Sequence, residues 1–209
     1  MTKKQLALEA IAKLKERYPE AVCSLTYQKP YELLLAVRLS AQCTDARVNI
    51  VTQELFAQYP TLESIAQADI ADIERIVKPC GLYKTKAKQL VQAAQMLISD
   101  YGGVVPDSME ELLKLPGIGR KTANLILGDV YGQPSYVTDT HCIRICGRLG
   151  LTQGTDPTKV EQQLRKVLPP EESGDFCHRL VHFGREVCKA RKPDCGVCPL
   201  HEVCRNKVF

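Results

Sequence analysis

Four cysteines near the end of the chain carry the plainest chemical signal. Cys188, Cys195, Cys198 and Cys204 follow a Cys-x6-Cys-x2-Cys-x5-Cys pattern. Four thiolates in one loop rich in Pro and Gly match a tetrahedral zinc site or a [4Fe–4S] cluster. A structural zinc site usually has two tight Cys-x-x-Cys pairs, and here only Cys195 and Cys198 form one. The uneven spacing leans towards the cluster, as does a first ligand at the end of the helical segment 177–187. Arg185, Lys189, Arg191 and Lys192 surround that ligand and suit a phosphate backbone.

A second constellation reads Pro116-Gly117-Ile118-Gly119-Arg120-Lys121. Two glycines one residue apart let the backbone approach a partner closely. The helix that opens near Arg120 offers unpaired N–H groups and the positive end of its dipole. That is an anion site without side chains, suited to a DNA phosphate; a plain αα-corner is the alternative. Lys121 lies in the first turn of this helix, where the field favours the neutral amine a nucleophile needs. On local sequence alone, a phosphate-binding lysine on a solvated surface is the better account. Asp139, in Tyr136-Val137-Thr138-Asp139-Thr140-His141, is an expected helix N-cap. Its carboxylate suits a second role, stabilising a cationic transition state or acting as a base. His141 reads as a structural hydrogen-bonder.

These groups need elements to position them. Apolar residues recur at helical spacing nearly throughout, as in Val48, Val51, Leu55 and Phe56, or Ala87, Leu90, Val91, Ala94 and Leu97. Breakers at Pro30, Pro60, Pro79, Gly102, Pro116, Gly132 and Gly150 separate the stripes. The pattern predicts an all-α protein of about ten short helices, without internal repeats. Residues 106–132 read as helix, glycine hairpin, helix. Ser108 with Glu111 fits a capping box at the start, and the second helix is expected from about Arg120 to Tyr131.

The 209 residues, 44% hydrophobic and 25% charged, exclude a wholly disordered chain. The strongly apolar run Leu33–Val37 is bounded by Glu32 and Arg38, too short for a membrane helix. The N-terminus lacks a signal-peptide core, so an unexported, cytoplasmic protein is expected, nucleoid-associated if bacterial. Residues 1–111 sum to −1 and residues 112–209 to +5, which suits an anionic partner or a solvated surface. Without an export signal, ligation is expected of the clustered cysteines rather than disulfides. Cys23, Cys43, Cys80, Cys142, Cys146 and Cys177 read mostly as small buried residues.

Taken together, the motifs resemble the endonuclease III family of helix-hairpin-helix DNA glycosylases over essentially the whole chain. They are LLLAVRLSAQCTD at 33–45, CGLYKTKAKQL at 80–90, PGIGRKTAN at 116–124, VTDTH at 137–141 and the four cysteines. The resemblance implies two helical domains with a DNA-binding cleft between them. One is a continuous domain, about 22–132, with the hairpin motif at about 108–131. The other joins 1–21 to 133–209 and holds a [4Fe–4S] cluster on Cys188, Cys195, Cys198 and Cys204. The implied reaction is removal of oxidised pyrimidines from duplex DNA, then cleavage 3′ of the abasic site.

Lys121 matches the catalytic lysine that forms a Schiff base, against its local reading. Asp139 matches the catalytic aspartate. Gln42 resembles the residue that fills the gap left by the extruded base, and Leu82 the wedge in the opposite strand. Locally these two read as a helix-surface glutamine and a core leucine. Gly117 and Gly119 resemble the phosphate-holding glycines; Arg120, His141, Arg185, Lys189, Arg191 and Lys192 join them as expected DNA contacts. The chain departs from the family's pattern at Thr138, Cys80 and Cys43. One active site per chain needs no second copy, so a monomer is expected.

Other readings stay open at this point. A relative directed at pyrimidine dimers or mismatched bases shares the fold, although mismatch specialists tend to lack the hairpin lysine. An adenine-mismatch enzyme also generally lacks that lysine and carries a further C-terminal domain, whereas this chain stops five residues after Cys204. A non-catalytic DNA-binding iron–sulfur protein would not need Lys121 and Asp139 together, and an electron carrier would not need the hairpin.

Overall fold

Helix starts along this chain are written by side chains that accept backbone N–H groups. Thr2, Thr44, Thr61, Asp69, Ser108, Asp139 and Asp156 each accept from a residue two or three places on. The computed structural model describes residues 1–20 and 22–206. The helices in it are α1 (Lys3–Arg17), α2 (Pro30–Leu39), α3 (Asp45–Gln58), α4 (Leu62–Ala66), α5 (Ile70–Val77) and α6 (Tyr83–Tyr101). After them come α7 (Met109–Leu112), α8 (Arg120–Asp129), α9 (Thr140–Leu149), α10 (Pro157–Leu164) and α11 (Ser173–Glu186). Single 3-10 turns lie at Lys78–Cys80, Pro170–Glu172 and Cys195–Val197. The described residues contain no strand, in agreement with the all-α expectation. None of the described helices is long and apolar enough to cross a membrane.

The chain forms two compact units, Cys23–Tyr131 and Met1–Val22 with Gly132–Phe209. In the first, α2 is the central element. Leu33, Leu34, Leu35, Ala36, Val37 and Leu39 are all buried, so the helix is apolar around most of its girth, as a core helix must be. It packs against α3, α6 and α8, while α4 and α5 cover α6. Glu32 closes the start of α2 by accepting from the amides of Gln28 and Lys29, at 2.7 and 3.2 Å. In the second unit, α11 packs against α1 and α9. The buried Arg179 of α11 donates from Nε to the Tyr18 carbonyl at 3.0 Å and from Nη2 to Asp175 at 3.0 Å. That cation ties the end of the first helix to the last long one, 161 residues away.

Two local expectations need correction. The capping box at Ser108 is half made: its hydroxyl accepts from the Glu111 amide at 3.3 Å. The Glu111 carboxylate does not complete it. It binds Lys114 Nζ at 2.5 Å and the Tyr101 hydroxyl at 2.8 Å, partners better placed than the Ser108 amide. The second hairpin helix also stops at Asp129 rather than Tyr131. Tyr131 lies beyond it, its hydroxyl donating to the Val105 carbonyl.

Leu34 is fully buried in α2, whereas Leu113 is 43% exposed. Leu34→Ala is expected to cost about 3 kcal/mol of stability by leaving a cavity. Leu113→Ala should stay within about 0.5 kcal/mol, both read from the apparent Tm.

Candidate functional site

The hairpin is built in the 23–131 unit. Leu115 and Ile118 are buried and anchor its two sides. Gly117 bends back with φ +77°, a conformation costly for any residue with a side chain. Space demands glycine there as well. A Cβ would lie 2.5 Å from Arg38 Nε and 2.7 Å from Gln89 Oε1. These two side chains are bonded to each other at 2.6 Å, so a bridge from α2 to α6 supports the hairpin from beneath. Gly119 is the N-cap of α8, in extended backbone, and a Cβ there would meet nothing within 4 Å. The hairpin thus opens to solvent where the first amides of α8 have no partner inside the helix. Arg120 and Lys121 are both exposed in that first turn. Asn124 Nδ2 donates to the Arg120 carbonyl at 3.2 Å and steadies it.

Two loops of the same unit hold the residues expected to fill the DNA stack. Gln42 lies past the end of α2 with φ +57°, and Leu82 caps α6 with φ +49°. Among the described residues these are the non-glycine positions with positive φ. Each costs about 1–2 kcal/mol relative to ordinary backbone. Strain of this kind persists only where surrounding structure enforces it, and it gathers at functional sites. Gln42 is exposed and lies outside any helix, and Leu82 is 58% exposed rather than in the core. Between the loops, the buried Lys86 of α6 donates to carbonyls on both sides.

Asp139 and the cysteine loop lie in the other unit. Asp139 Oδ1 accepts from the Cys142 amide at 2.7 Å, which makes it the N-cap of α9. Its own amide donates to the Val137 carbonyl at 3.0 Å, and Thr138 is buried beside it. In the first turn of α9, His141 Nδ1 lies 3.1 Å from Arg144 Nη2, which also donates to the Cys188 carbonyl at 3.0 Å. Arg148 then laces the start of the cysteine loop, reaching Cys188 Sγ at 3.2 Å, the Lys189 carbonyl at 2.8 Å and the Ala190 carbonyl at 2.7 Å. Arg185, Lys189, Arg191 and Lys192 are exposed. Cys142, Cys146 and Cys177 are buried against one another, and thiol–thiol hydrogen bonds and burial hold Cys142 and Cys177 protonated. They are packing residues, as expected.

Cys188, Cys195, Cys198 and Cys204 line one recess, together with the apolar side chains of Ile145, Leu149, Phe183 and Leu200. Burial pushes the Cys198 thiol up, and the neighbouring Cys188, Cys204 and Cys195 add to this, so the four sulfurs share one electrostatic environment. Four cysteines on one recess are the donor set that a [4Fe–4S] cluster takes. The Arg148 guanidinium supplies an N–H to the Cys188 sulfur. The residues fit a [4Fe–4S] cluster.

Two family descriptions match the chain. "HhH-GPD superfamily base excision DNA repair protein" covers residues 35–170, and "Iron-sulfur binding domain of endonuclease III" covers residues 188–204. Endonuclease III of Synechocystis is 46% identical over 97% of this chain and 93% of its own length. The Bacillus subtilis enzyme of that name is 43% identical over 93% and 89%. The chain belongs to the endonuclease III family. A solved structure of a trapped endonuclease III–DNA covalent intermediate superposes with a TM-score of 0.92 at 42% identity, covering 99% of this chain and 97% of that one. A non-covalent endonuclease III–DNA complex matches as well, also at a TM-score of 0.92. The family carries a [4Fe–4S] cluster in the cysteine loop, in agreement with the cysteine spacing.

Sequence reasoning passed over Arg38, Gln89, Lys86 and Arg148. Lys86 had a visible signal: it falls on the stripe it shares with Leu90, Ala93, Ala94 and Leu97, where a charge is out of place. The Arg38–Gln89 bridge joins residues 51 apart and had none.

Gly117→Ala is expected to lower Tm by several degrees, since it meets both left-handed strain and the Arg38–Gln89 bridge. Gly119→Ser should leave Tm near wild type, because φ is −107° there and the space is open.

Proposed function

We propose that this chain excises oxidised pyrimidines from duplex DNA and cleaves the strand 3′ of the resulting abasic site. The observation that carries the reading is an exposed Lys121 two residues past the hairpin N-cap. Gly117 and Gly119 bring main-chain amides to a phosphate, with Arg120 beside them, and the amine is thereby fixed relative to the sugar that phosphate carries. A base inside the stack is out of reach, so the nucleotide is extruded, and damage lowers the cost. Gln42 fills the vacated space and Leu82 wedges the opposite strand, replacing lost stacking. Both are exposed and held in a rare conformation, as that work requires.

The Lys121 amine attacks C1′ as the glycosidic bond breaks, and the base leaves with the bonding pair. Ring opening converts the adduct to an imine. The imine acidifies C2′, whose proton is lost as the 3′ phosphate departs. Water then hydrolyses the imine and restores the amine. The Asp139 carboxylate stabilises positive charge on the sugar and assists activation of the nucleophile. The cluster, when bound on Cys188, Cys195, Cys198 and Cys204, holds a folded loop that presents Lys189, Arg191 and Lys192 to phosphate, with Arg185 and His141 flanking it. The protein works as a cytoplasmic monomer.

Lys121→Ala is expected to bind an abasic duplex but leave the strand uncut, read on a denaturing gel. Full cleavage would remove the lysine from the mechanism. Asp139→Asn separates the two roles of that residue, because asparagine caps a helix as well as aspartate does. Tm and DNA binding should hold while excision falls about 100-fold or more. Unchanged excision would reduce Asp139 to a cap.

A further inference from the structure

Lys86 is fully buried, in the first turns of α6, where the helix dipole opposes a cation. An ammonium carries three donors, and here all three are used. They reach the carbonyls of Leu39 at 2.8 Å, Ala41 at 2.7 Å and Cys80 at 2.8 Å. The acceptors are not arbitrary. Leu39 is the last residue of α2, whose carbonyl has no partner within the helix. The Ala41 carbonyl belongs to the peptide plane that leads into Gln42. The Cys80 carbonyl belongs to the plane that leads into Gly81 and then Leu82. Fixing a carbonyl fixes its peptide plane, and so constrains φ of the residue that follows. One nitrogen therefore orients the backbone entering both left-handed stretches, 42 and 81–82.

We propose that Lys86 is the positioning residue for base displacement: its three carbonyl bonds lock the Gln42 and Leu82 loops in a fixed relation, ready to enter the stack. The inference rests on the roles given above to Gln42 and Leu82. It follows that Lys86 acts through these loops and touches neither the sugar nor the Lys121 amine. Removing its donors frees three carbonyls and lets both loops relax, so the protein binds DNA but no longer fills the space behind an extruded base. Chemistry on a sugar that needs no extrusion is spared.

Two substrates separate these steps: a duplex with a paired oxidised pyrimidine, and a single strand with a preformed abasic site. The enzymes, with their clusters, are wild type, Lys86→Met, Lys86→Arg, Gln42→Ala and Leu82→Ala. For Lys86→Met, excision from the duplex is expected to fall about 100-fold, while cleavage of the single strand changes less than about threefold. Lys86→Arg keeps the charge but spreads its donors in a plane. It should recover part of the duplex activity, and it carries the test should Lys86→Met fail to accumulate as folded protein. Equal losses on both substrates would mean general destabilisation and overturn the proposal, as would wild-type excision by Lys86→Met. If Gln42→Ala and Leu82→Ala both excise at the wild-type rate, the displacement reading itself has failed. If they are impaired and the Lys86 variants are not, only the role of Lys86 falls.

Discussion

An amine can capture a sugar carbon only if the neighbouring phosphate is held still, and in the proposed mechanism both tasks fall to one turn of backbone. The turn exists because residue 117 has no side chain. Any Cβ there would displace Arg38 and Gln89, which support the hairpin from α2 and α6. With the turn in place, α8 must start at Gly119, and Lys121 must lie in its first turn. Electrostatics then favours what chemistry needs. The positive end of α8 attracts the phosphate beside which the amine must work.

The two units divide the remaining work. The 23–131 unit is organised round a helix buried on nearly all sides, and its C-terminal end carries the polar apparatus: Arg38 under the hairpin, and the Lys86 bonds at the exit towards Gln42. The other unit is assembled from both ends of the chain, tied by Arg179 to Tyr18. There α9 starts at Asp139 and passes through Arg144 and Arg148 to the cysteine loop. A single helix thus links the carboxylate to the metal-binding loop, and both arginines hold that loop by its backbone.

Much of this was legible before any coordinates. Helix boundaries follow local rules, so the caps at Asp139 and Ser108 and the start of α8 could be read from neighbouring residues. The cysteine spacing was equally local. Gln42 and Leu82 show where local reading stops. Their residue types suggest a helix surface and a core, and only their backbone, set by remote contacts, places them in exposed strained loops. The capping box at Ser108 failed for a related reason. Glu111 had a choice of partners, and the chain brought Tyr101 and Lys114 nearer than the expected amide. Buried polar groups such as Lys86 are satisfied across long stretches of sequence, and no spacing rule anticipates which carbonyls will converge on them.

The identity of the attacking nitrogen is the point on which the rest turns. Sodium borohydride added during turnover on an abasic duplex reduces the imine to a stable amine. Proteolysis and mass spectrometry then locate the deoxyribose remnant. The remnant is expected on Lys121. A remnant on Lys114, Lys189 or any other amine, or a reaction that leaves no covalent adduct, would contradict it.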